Sequence, residues 1–517
     1  MRYHASLTLA TIATLTPLLA QPTHAQVTSV SQLSDVQPTD WAFQALQSLV
    51  ERYGCIAGYP DSTYRGNSFM TRYELAAGLN ACLDQIVGLV GGGDSIDPAD
   101  LATVRRLQEE FAAELAALQG RVEGLDARVS ELEANQFSTT TKLQGEAIFN
   151  LAVALGNDGS DEAVFQDRVR LEFHTSFTGR DRLLTRLQAG NSIPYALTGN
   201  NDDIDFGNSA EGVLAAQTFG DSGNDVRIDT LAYTVPIGNS FDLTLGANGT
   251  RFADFVPTLN PYFDDGDGGN GALSAFGQYN PIYRLGGGAG IGLNFKPSDR
   301  LQFSTGYLAA NAEDPSPGHG LFNGDFAVLT QLTYTPSDAF GVGLTYNYGY
   351  FSSGNFAFNN GGGNFDNTDF GFTGTRMVNG IGTTNSLNSH SVGLQLAWQL
   401  APSFHVSAWG GYTAVHIDNN DLDGDIWNGA IALAFPDIGG DGNLGGLIFG
   451  LQPTLTDFED SNEFFEDDPA LHLEAFYKLQ LNDYISITPG MIWLPNPNQD
   501  SSNDDIFIGT IRATFTF

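Results

Sequence analysis

Between residue 142 and residue 517, apolar and polar side chains alternate with a period of two. In the closing segment, 507–517, the aromatic and aliphatic side chains share one parity, whereas Thr510, Arg512 and Thr514 take the other. This is the period of a β-strand, in which successive side chains point to opposite faces. The alternation therefore predicts strands that each have one oily and one polar face.

Sixteen segments of this region carry the alternation. They are 142–153, 168–178, 181–190, 226–236, 241–252, 283–296, 301–309, 326–335, 340–350, 389–400, 404–415, 427–436, 446–453, 470–481, 484–493 and 506–517. Their connections alternate between short turns, such as "TGRD", and long loops, such as 416–426. Because every backbone amide has to be paired in hydrocarbon, only a closed barrel lets such strands cross a bilayer. We therefore predict a mainly β fold, with a 16-stranded transmembrane antiparallel β-barrel over residues 142–517 that encloses a water-filled pore.

The charge balance limits the partners of this chain. Its 60 acidic and 22 basic side chains give a formal charge of −38. Nucleic acid is not expected as a partner, because phosphate binding requires basic surfaces. Acidic runs such as "DDGDGG" and "DNNDLDGD" lie in predicted loops, and we expect them to draw cations toward a pore mouth.

The N-terminus indicates export. An arginine precedes an apolar stretch over residues 5–20, and small residues follow it, which is the pattern of a signal peptide over residues 1–25. No later run of 18 apolar residues occurs, so a helical membrane span is not expected. In an exported chain Cys55 and Cys82 are candidates for a disulfide, and two buried thiols are the alternative.

Residues 27–90 read as a small domain with two helices around a glycine-rich loop. Trp41 lies on the apolar face of the first helix. The second helix opens with Thr71 and Glu74, which have the spacing of a capping box. Core packing is sufficient to explain Trp41, and helix capping is sufficient to explain Thr71 and Glu74.

The same stretch resembles an S-layer homology (SLH) domain, in its Gly58-Tyr59-Pro60-Asp61 loop and in Thr71-Arg72-Tyr73-Glu74. Domains of this family bind cell-wall polysaccharide. The resemblance implies that Arg72 contacts an acidic sugar, because guanidinium matches carboxylate. Trp41, Tyr59 and Asp61 are the other candidate glycan contacts. A solvated surface arginine is the alternative for Arg72, and Tyr73 departs from the family alanine.

Residues 100–136 carry a heptad repeat. Apolar side chains recur at the a and d positions from Leu115 to Leu132, as in a coiled coil. Arg121 and Arg128 each precede an acidic residue by five positions, the offset that pairs parallel helices. We expect a parallel coiled coil that makes the protein a homo-oligomer. Valine at a with leucine at d favours a dimer, whereas the resemblance described next implies a trimer.

The order of these parts is similar to that of the cyanobacterial outer-membrane porins, in which a signal peptide, an SLH domain, a coiled coil and a carbohydrate-selective (OprB-like) barrel follow one another. Some members are described as iron-uptake porins or major outer-membrane proteins. The resemblance implies a barrel in outer-membrane lipid and an N-terminal domain in the periplasm, bound to peptidoglycan-linked polysaccharide. Inorganic ions, iron and carbohydrate are the candidate solutes.

Four arginines and three aspartates are candidate pore residues. They are Arg168, Arg170, Arg182 and Arg186 on the polar parity of early strands, and Asp264, Asp265 and Asp267 in the 253–282 loop. Many porins fold a loop inward at this place, and opposed charges would set a transverse field across a narrow pore. Pairing of the arginines with Glu146 or Glu172, and solvation of the aspartates at the rim, are the alternatives.

Signals of catalysis and metal binding are weak. "GDSGN" around Ser222 and "TAVH" ending at His416 echo serine proteases in reversed chain order, and 419–425 resembles a calcium loop without its closing glutamate. We expect no enzyme activity, cofactor or specific metal site. The predicted function is diffusion through a porin combined with tethering to the wall. A non-conducting structural tether and a secreted S-layer or calcium-binding β-protein are the alternatives.

The terminal Phe517 resembles the C-terminal signal by which the barrel-assembly machinery recognises outer-membrane barrels. An even strand number returns both barrel ends to the periplasm, where the wall-binding domain has to lie. We expect 506–517 to pair with 142–153 and to close the ring.

Overall fold

A computed structural model describes residues 29–39, 43–52, 54, 63–65, 140–156, 162–197, 209–266, 268–360, 371–381, 385–418, 422–458 and 468–517. The predicted signal peptide, both cysteines and the predicted coiled coil lie outside the described residues. The chain divides into two compact units, Met1–Gln136 and Phe137–Phe517. In the part of the chain that is described, no helix is both long and apolar enough to cross a membrane.

The first unit contains a short helical segment over a small apolar cluster. Its described elements are a 3-10 turn (Val30–Gln32), helix α1 (Phe43–Gln47) and a π-helical turn (Ser48–Arg52). Val30, Leu46 and Val50 are buried together, so the apolar helix face predicted from the sequence forms the core here. The Asp35 carboxylate accepts hydrogen bonds from the backbone N–H groups of Tyr64 (2.6 Å) and Arg65 (2.5 Å).

The second unit is a β-barrel. Its described strands are β1 (Thr141–Leu155), β2 (Val164–Thr175), β3 (Arg182–Gly190), β4 (Arg227–Ile237), β5 (Phe241–Arg251), β6 (Gly287–Ser298), β7 (Leu301–Ala309), β8 (Phe326–Ser337), β9 (Phe340–Phe351), β10 (Leu387–Ala401), β11 (Phe404–Ile417), β12 (Leu422–Pro436), β13 (Leu444–Phe458), β14 (Leu471–Asn482), β15 (Ile485–Leu494) and β16 (Ile506–Thr516). Each pairs with its neighbours in chain order, and β1 pairs with β16, so the antiparallel sheet is closed. The predicted sixteen-stranded barrel is confirmed.

Short helical pieces occur only in the connections of the described barrel. They are α2 (Ala275–Gln278), α3 (Arg376–Gly380) and 3-10 turns at Ala215–Gln217, Phe252–Asp254, Pro281–Arg284 and Pro497–Gln499. The 3-10 turn at Pro281–Arg284 explains why β6 begins at Gly287, later than the predicted residue 283. At the same rim the pairing of β11 with β12 continues as far as Ile417 and Leu422. The connection between these strands is therefore much shorter than the predicted loop 416–426.

Side chains on the two faces of each strand have different surroundings. On β16 Phe507, Ile511 and Phe515 are exposed on the outside, where a lipid-facing band is expected. Aromatic pairs lie on this outer surface near both rims: Phe340 with Trp398 and Phe241 with Phe295 near the short turns, and Trp493 with Phe507 and Tyr412 with Trp427 near the long loops. Such girdles are typical of strands that cross a membrane.

The last residue of the chain completes the closing ladder. The Gly145 N–H donates to the Phe517 carbonyl (2.6 Å), and the Phe517 N–H donates to the Gly145 carbonyl (2.9 Å). The Phe517 ring covers Gly145 so closely that a Cβ there would lie 2.2 Å from a ring carbon. A glycine on β1 therefore makes room for the aromatic end of β16.

Deleting Phe517 removes both hydrogen bonds and the ring from the closing seam. Each lost hydrogen bond costs about 1 kcal/mol, so we expect less folded barrel in the outer-membrane fraction, measured by heat-modifiable gel migration. Phe517→Tyr retains the backbone bonds and an aromatic ring and serves as the control. Wild-type levels of folded protein after the deletion would contradict this role.

Candidate functional site

Three long connections fold into the barrel. We name them inner loop 1 (191–226), inner loop 2 (252–286) and inner loop 3 (352–386), of which 198–208, 267, 361–370 and 382–384 lie outside the described residues. The Ala215 N–H in inner loop 1 donates to the Leu273 carbonyl in inner loop 2 (2.7 Å). The Ala210 N–H donates to the Gly374 carbonyl in inner loop 3 (3.2 Å). The three loops therefore support one another inside the ring of strands.

Inner loop 2 is attached to β16 by an arginine. The buried Arg512 guanidinium donates to the carbonyls of Gly268 (2.8 Å), Gly271 (2.7 Å) and Ala272 (2.9 Å). The parity of Arg512 predicts that it lies on the polar, inner side of β16; it does lie there, but loop carbonyls and not lumen water surround its guanidinium. The loop carbonyls replace water as hydrogen-bond acceptors, which satisfies a buried charge.

Inner loop 2 is also attached to β14. The buried Glu474 carboxylate accepts hydrogen bonds from the N–H groups of Leu273 (2.6 Å) and Ser274 (3.1 Å), and from the Ser274 hydroxyl. His472 lies beside it, 3.3 Å away. Serine, histidine and glutamate meet here without exposure to solvent, so this cluster positions the loop and offers no reactive surface.

The far end of inner loop 2 reaches the opposite wall. The Asn347 side chain on β9 donates to the carbonyls of Ile282 (3.0 Å) and Leu285 (2.9 Å). The Tyr283 hydroxyl donates to Gln331 on β8. Inner loop 2 thus crosses the whole lumen between β14–β16 and β8–β9, and it narrows the barrel.

One side of the lumen is filled with apolar side chains. Phe263, Leu273 and Phe276 of inner loop 2 pack with Leu197 and Leu214 of inner loop 1 against inward residues of the wall. These wall residues are Ile448, Ile492, Leu494, Ile506 and Ile508. Such a cluster excludes water from this part of the lumen.

The inner faces of β1 to β4 carry arginines that have acidic partners. Arg168 is 2.7 Å from Glu146 on β1. Arg186 is 2.6 Å from Glu172 and 3.4 Å from Asp229. These side chains lie on the inner faces of β1 to β4 and are mostly buried. Positive and negative groups therefore alternate along this wall.

Two further arginines join this wall from the loop end of the barrel. Arg251 at the end of β5 is 3.2 Å from Asp254. Arg284 donates to the Ala275 carbonyl (2.8 Å) and to the Gln278 side chain (2.9 Å). The Arg251 guanidinium ties inner loop 2 to the end of β5, whereas that of Arg284 joins residues within inner loop 2.

Two adjoining cavities open beside these arginines. The larger, of about 130 Å³, is lined by strand ends and by Asn248, Asn311, Glu313 and Asn360. The smaller, of about 90 Å³, is lined by inner loop 2, including Asp254, Asp264 and Tyr279. Both share Thr218, Phe219 and Arg251 in their walls. Charged and amide side chains thus lie beside both cavities at the long-loop end of the strands.

Comparison with known proteins assigns the family. The model of the carbohydrate-selective porin, OprB family, matches residues 99–517, and the model of the S-layer homology domain matches residues 32–76. The chain belongs to the OprB family of carbohydrate-selective porins. The structure of OprB from Pseudomonas putida covers 75% of this chain and 96% of that chain with a TM-score of 0.50 at 11% identity, so the fold is shared.

Full-length relatives occur in cyanobacteria. An uncharacterized protein of Nostoc sp. (strain PCC 7120) is 48% identical over 507 residues, which cover 95% of this chain and 86% of that protein. An uncharacterized protein of Synechocystis sp. (strain PCC 6803) is 39% identical over 526 residues, which cover 95% and 91%. OprB porins are channels and not enzymes, so this protein is an outer-membrane porin with an SLH domain for attachment to the cell wall in the periplasm.

The predicted pore residues of this OprB porin have different surroundings. Arg168, Arg170 and Arg186 lie together on the inner wall, whereas Arg182 is exposed at the short-turn end of β3. Asp265 accepts hydrogen bonds from the N–H groups of Gly268 (2.6 Å), Asn270 (2.5 Å) and Gly271 (3.0 Å) within its own loop. Asp264 accepts one from Thr258 (2.5 Å), and burial raises the pKa of Asp264 to about 6. Asp267 lies outside the described residues.

The remaining candidates fall into two groups. The predicted glycan contacts Trp41, Tyr59, Asp61 and Arg72 lie outside the described residues, and so do Cys55 and Cys82. Ser222 and His416 have separate partners. The Ser222 hydroxyl donates to the Gly190 carbonyl (3.1 Å), and His416 is paired with Asp423 (2.7 Å). They form no catalytic arrangement with each other.

Sequence reasoning missed several residues of the charged wall. Asp229 and Arg251 lie at strand ends beside long loops, and this position was a usable signal for a lumen site. Phe219 is in an irregular loop, and no periodicity marks it. Its place among the arginines depends on how inner loop 1 folds.

Glu211 in inner loop 1 ionises near neutral pH. Its buried carboxylate accepts hydrogen bonds from the Asn498 N–H (2.7 Å) and from the Ser209 hydroxyl. Burial raises the pKa of Glu211 to about 7, because a low-dielectric site disfavours the charged form. This carboxyl joins inner loop 1 to the connection between β15 and β16.

Glu211→Gln should stabilise the barrel increasingly as pH rises from about 5 to about 8. Between a pH of about 4.3, the pKa of the unfolded chain, and about 7, folded Glu211 retains a proton that the unfolded chain has lost, so its contribution to stability falls by on the order of 3 kcal/mol and levels off above pH 7. The neutral glutamine is free of this cost. The temperature at which the heat-modifiable folded band disappears, compared between wild type and variant at each pH, measures the effect. A difference between the two that does not change with pH would contradict it.

Proposed function

We propose that this porin allows passive diffusion of small uncharged hydroxylated solutes, with small inorganic ions as further permeants. The carbohydrate-selective family supports the solute class. The observation that carries the proposal is the pairing of charge on the polar wall, where Arg168, Arg186 and Arg251 each lie within 3.4 Å of a carboxylate. A wall with compensated charges attracts neither ion sign strongly.

The side chains around the cavities suit hydroxyl groups. Asn248, Asn311 and Asn360 supply amide donors and acceptors beside the larger cavity. Carboxylates and guanidinium groups supply further acceptors and donors. A sugar that enters can exchange its water hydrogen bonds for these groups at little cost. The surrounding strands keep the route open, since the inner loops are fixed to the wall and to one another.

Acidic side chains at the long-loop end of the barrel act on ions before they reach this wall. The acidic run at 418–425, in the β11–β12 connection and the strand end beside it, raises the local concentration of cations. We therefore expect a weak cation preference at low ionic strength. It should diminish at high salt, because dissolved ions screen the attraction between these carboxylates and a cation at the pore mouth. Iron remains one candidate among the cations, and permeability measurements with iron complexes address it.

Liposome swelling and planar-bilayer recording test the diffusion function. We expect discrete conductance steps and faster swelling with monosaccharides than with disaccharides. Glu146→Gln should shift the permeability ratio toward anions by about twofold, and Arg168→Gln should shift it toward cations by a similar factor, since each removes one wall charge. The double variant restores the balance and serves as the matched control. Absence of conductance steps in the wild type would favour the alternative, a structural tether with a filled barrel.

We also propose that the protein tethers the outer membrane to peptidoglycan-linked polysaccharide. The SLH match over residues 32–76 supports this role, with Arg72, Trp41, Tyr59 and Asp61 as glycan contacts. The heptads within 100–136 would bring several SLH domains together, and we expect a trimer. Several weak sites on one particle bind a polymer far more tightly than a single site does.

Deletion of 101–136 tests the contribution of oligomerisation. With the SLH domain intact but the coiled coil removed, we expect peptidoglycan pull-down to fall by on the order of 100-fold, because avidity is lost. Arg72→Gln in the full chain tests the sugar contact separately. Undiminished wall binding after the deletion would show that one SLH domain is sufficient.

A further inference from the structure

We propose that Phe219 sets the size limit of the diffusion route, because its ring forms the partition between the two cavities. This inference rests on the proposed function, in which solutes pass along the charged wall. Thr218, Phe219 and Arg251 line both the larger cavity of about 130 Å³ and the smaller one of about 90 Å³. A solute that moves from one cavity to the other therefore has to pass this side chain.

The Phe219 ring is held by guanidinium groups. The Cζ atoms of Arg170, Arg168 and Arg251 lie 4.4, 5.1 and 5.3 Å from the ring centroid. Each such contact contributes about 0.5–2 kcal/mol, and more as the site is desolvated. Two of these arginines belong to β2 and one to β5, so the ring bridges two parts of the wall.

An apolar cluster does not account for this position. Among the described residues, the buried clusters that fix the inner loops contain Phe263, Phe276 and Phe252, but they do not contain Phe219. Phe219 is nevertheless only 8% exposed. The Phe219 ring therefore lies among charged groups at the junction of the two cavities, and it is not part of an apolar core.

The backbone on the N-terminal side of Phe219 is anchored, which determines where the ring points. The Gln217 side chain accepts a hydrogen bond from the Leu214 N–H (2.8 Å) and donates to the Gln166 side chain (2.9 Å). The Thr218 hydroxyl donates to the Ala215 carbonyl (3.0 Å). The residue before the ring is thus fixed to its own loop, and Gln217 is fixed to β2.

The C-terminal side of Phe219 is anchored as well. Gly220 has a φ of +67°, a left-handed conformation that glycine adopts without strain. The Gly220 N–H donates to the Gln217 carbonyl (3.0 Å), and the Ser222 N–H donates to the Gly190 carbonyl (3.0 Å). With both flanks held, the ring is a rigid partition and not a freely swinging side chain.

Substitutions at Phe219 distinguish the effect of its side-chain volume from the effect of its contacts with the arginines. Phe219→Ala removes the ring and should join the two cavities, which raises single-channel conductance by roughly twofold and brings the rate of liposome swelling with disaccharides close to that with monosaccharides. Phe219→Leu keeps most of the bulk but loses the aromatic face, so it should retain a size limit close to that of the wild type. Phe322→Ala is the matched control, because Phe322 is 83% exposed and lines neither cavity.

The outcomes distinguish this inference from the proposed function. Folding of each variant is checked by heat-modifiable migration before recording. If the wild type conducts and Phe219→Ala has the same conductance and the same sugar cut-off, the role of Phe219 is overturned while the diffusion function stands. If Phe219→Leu opens the route as much as Phe219→Ala, the ring is not a steric partition. If the wild type gives no conductance steps, the diffusion function itself fails.

Discussion

The structure depends on one constraint, that every backbone N–H and C=O inside the membrane has to find a partner within the sheet. Pairing of β1 with β16 removes the last free edge, and the terminal Phe517 extends this seam to Gly145. Closure with sixteen strands produces a lumen too wide for side chains alone to fill. The inner loops therefore have space inside the barrel, and the polar inner parity supplies groups that bind them.

The charged residues of the lumen divide into two kinds by what they contact. Arg512 and Glu474 bind backbone groups of inner loop 2, and they hold that loop against one wall. Arg168 and Arg251 lie on the other side, next to acidic partners and to the aromatic ring of Phe219. The first kind fixes the loop that narrows the barrel, and the second kind forms the charged inner wall, where Arg251 also lines both cavities. The two regions adjoin at inner loop 2, because Gly269 of that loop lies against the Glu146 side chain.

Much of the barrel was predictable, because strand alternation depends only on neighbouring residues. The predicted span of β7, 301–309, agrees with the structure, and the predicted outer face of β16 is the exposed one. Prediction failed where a distant segment supplies the surroundings. Parity placed Arg512 inside the barrel, but it could not show that carbonyls of inner loop 2, rather than water, surround the guanidinium. Asp265 was a candidate for a constriction, with a solvated rim as the alternative; its hydrogen bonds to the backbone of its own loop are a contact that no sequence pattern marks.

The sequence by itself determined the strand number, the faces of the strands, the alternation of short turns with long loops, and the SLH family of the N-terminal region. Each of these is a local pattern, read from residues close together in the chain. Only the tertiary structure decided where the inner loops fill the lumen, which arginines bind loops, and that Phe219 stands between two cavities. Those contacts join residues of separate loops and strands, and their energies depend on distances that no local pattern encodes.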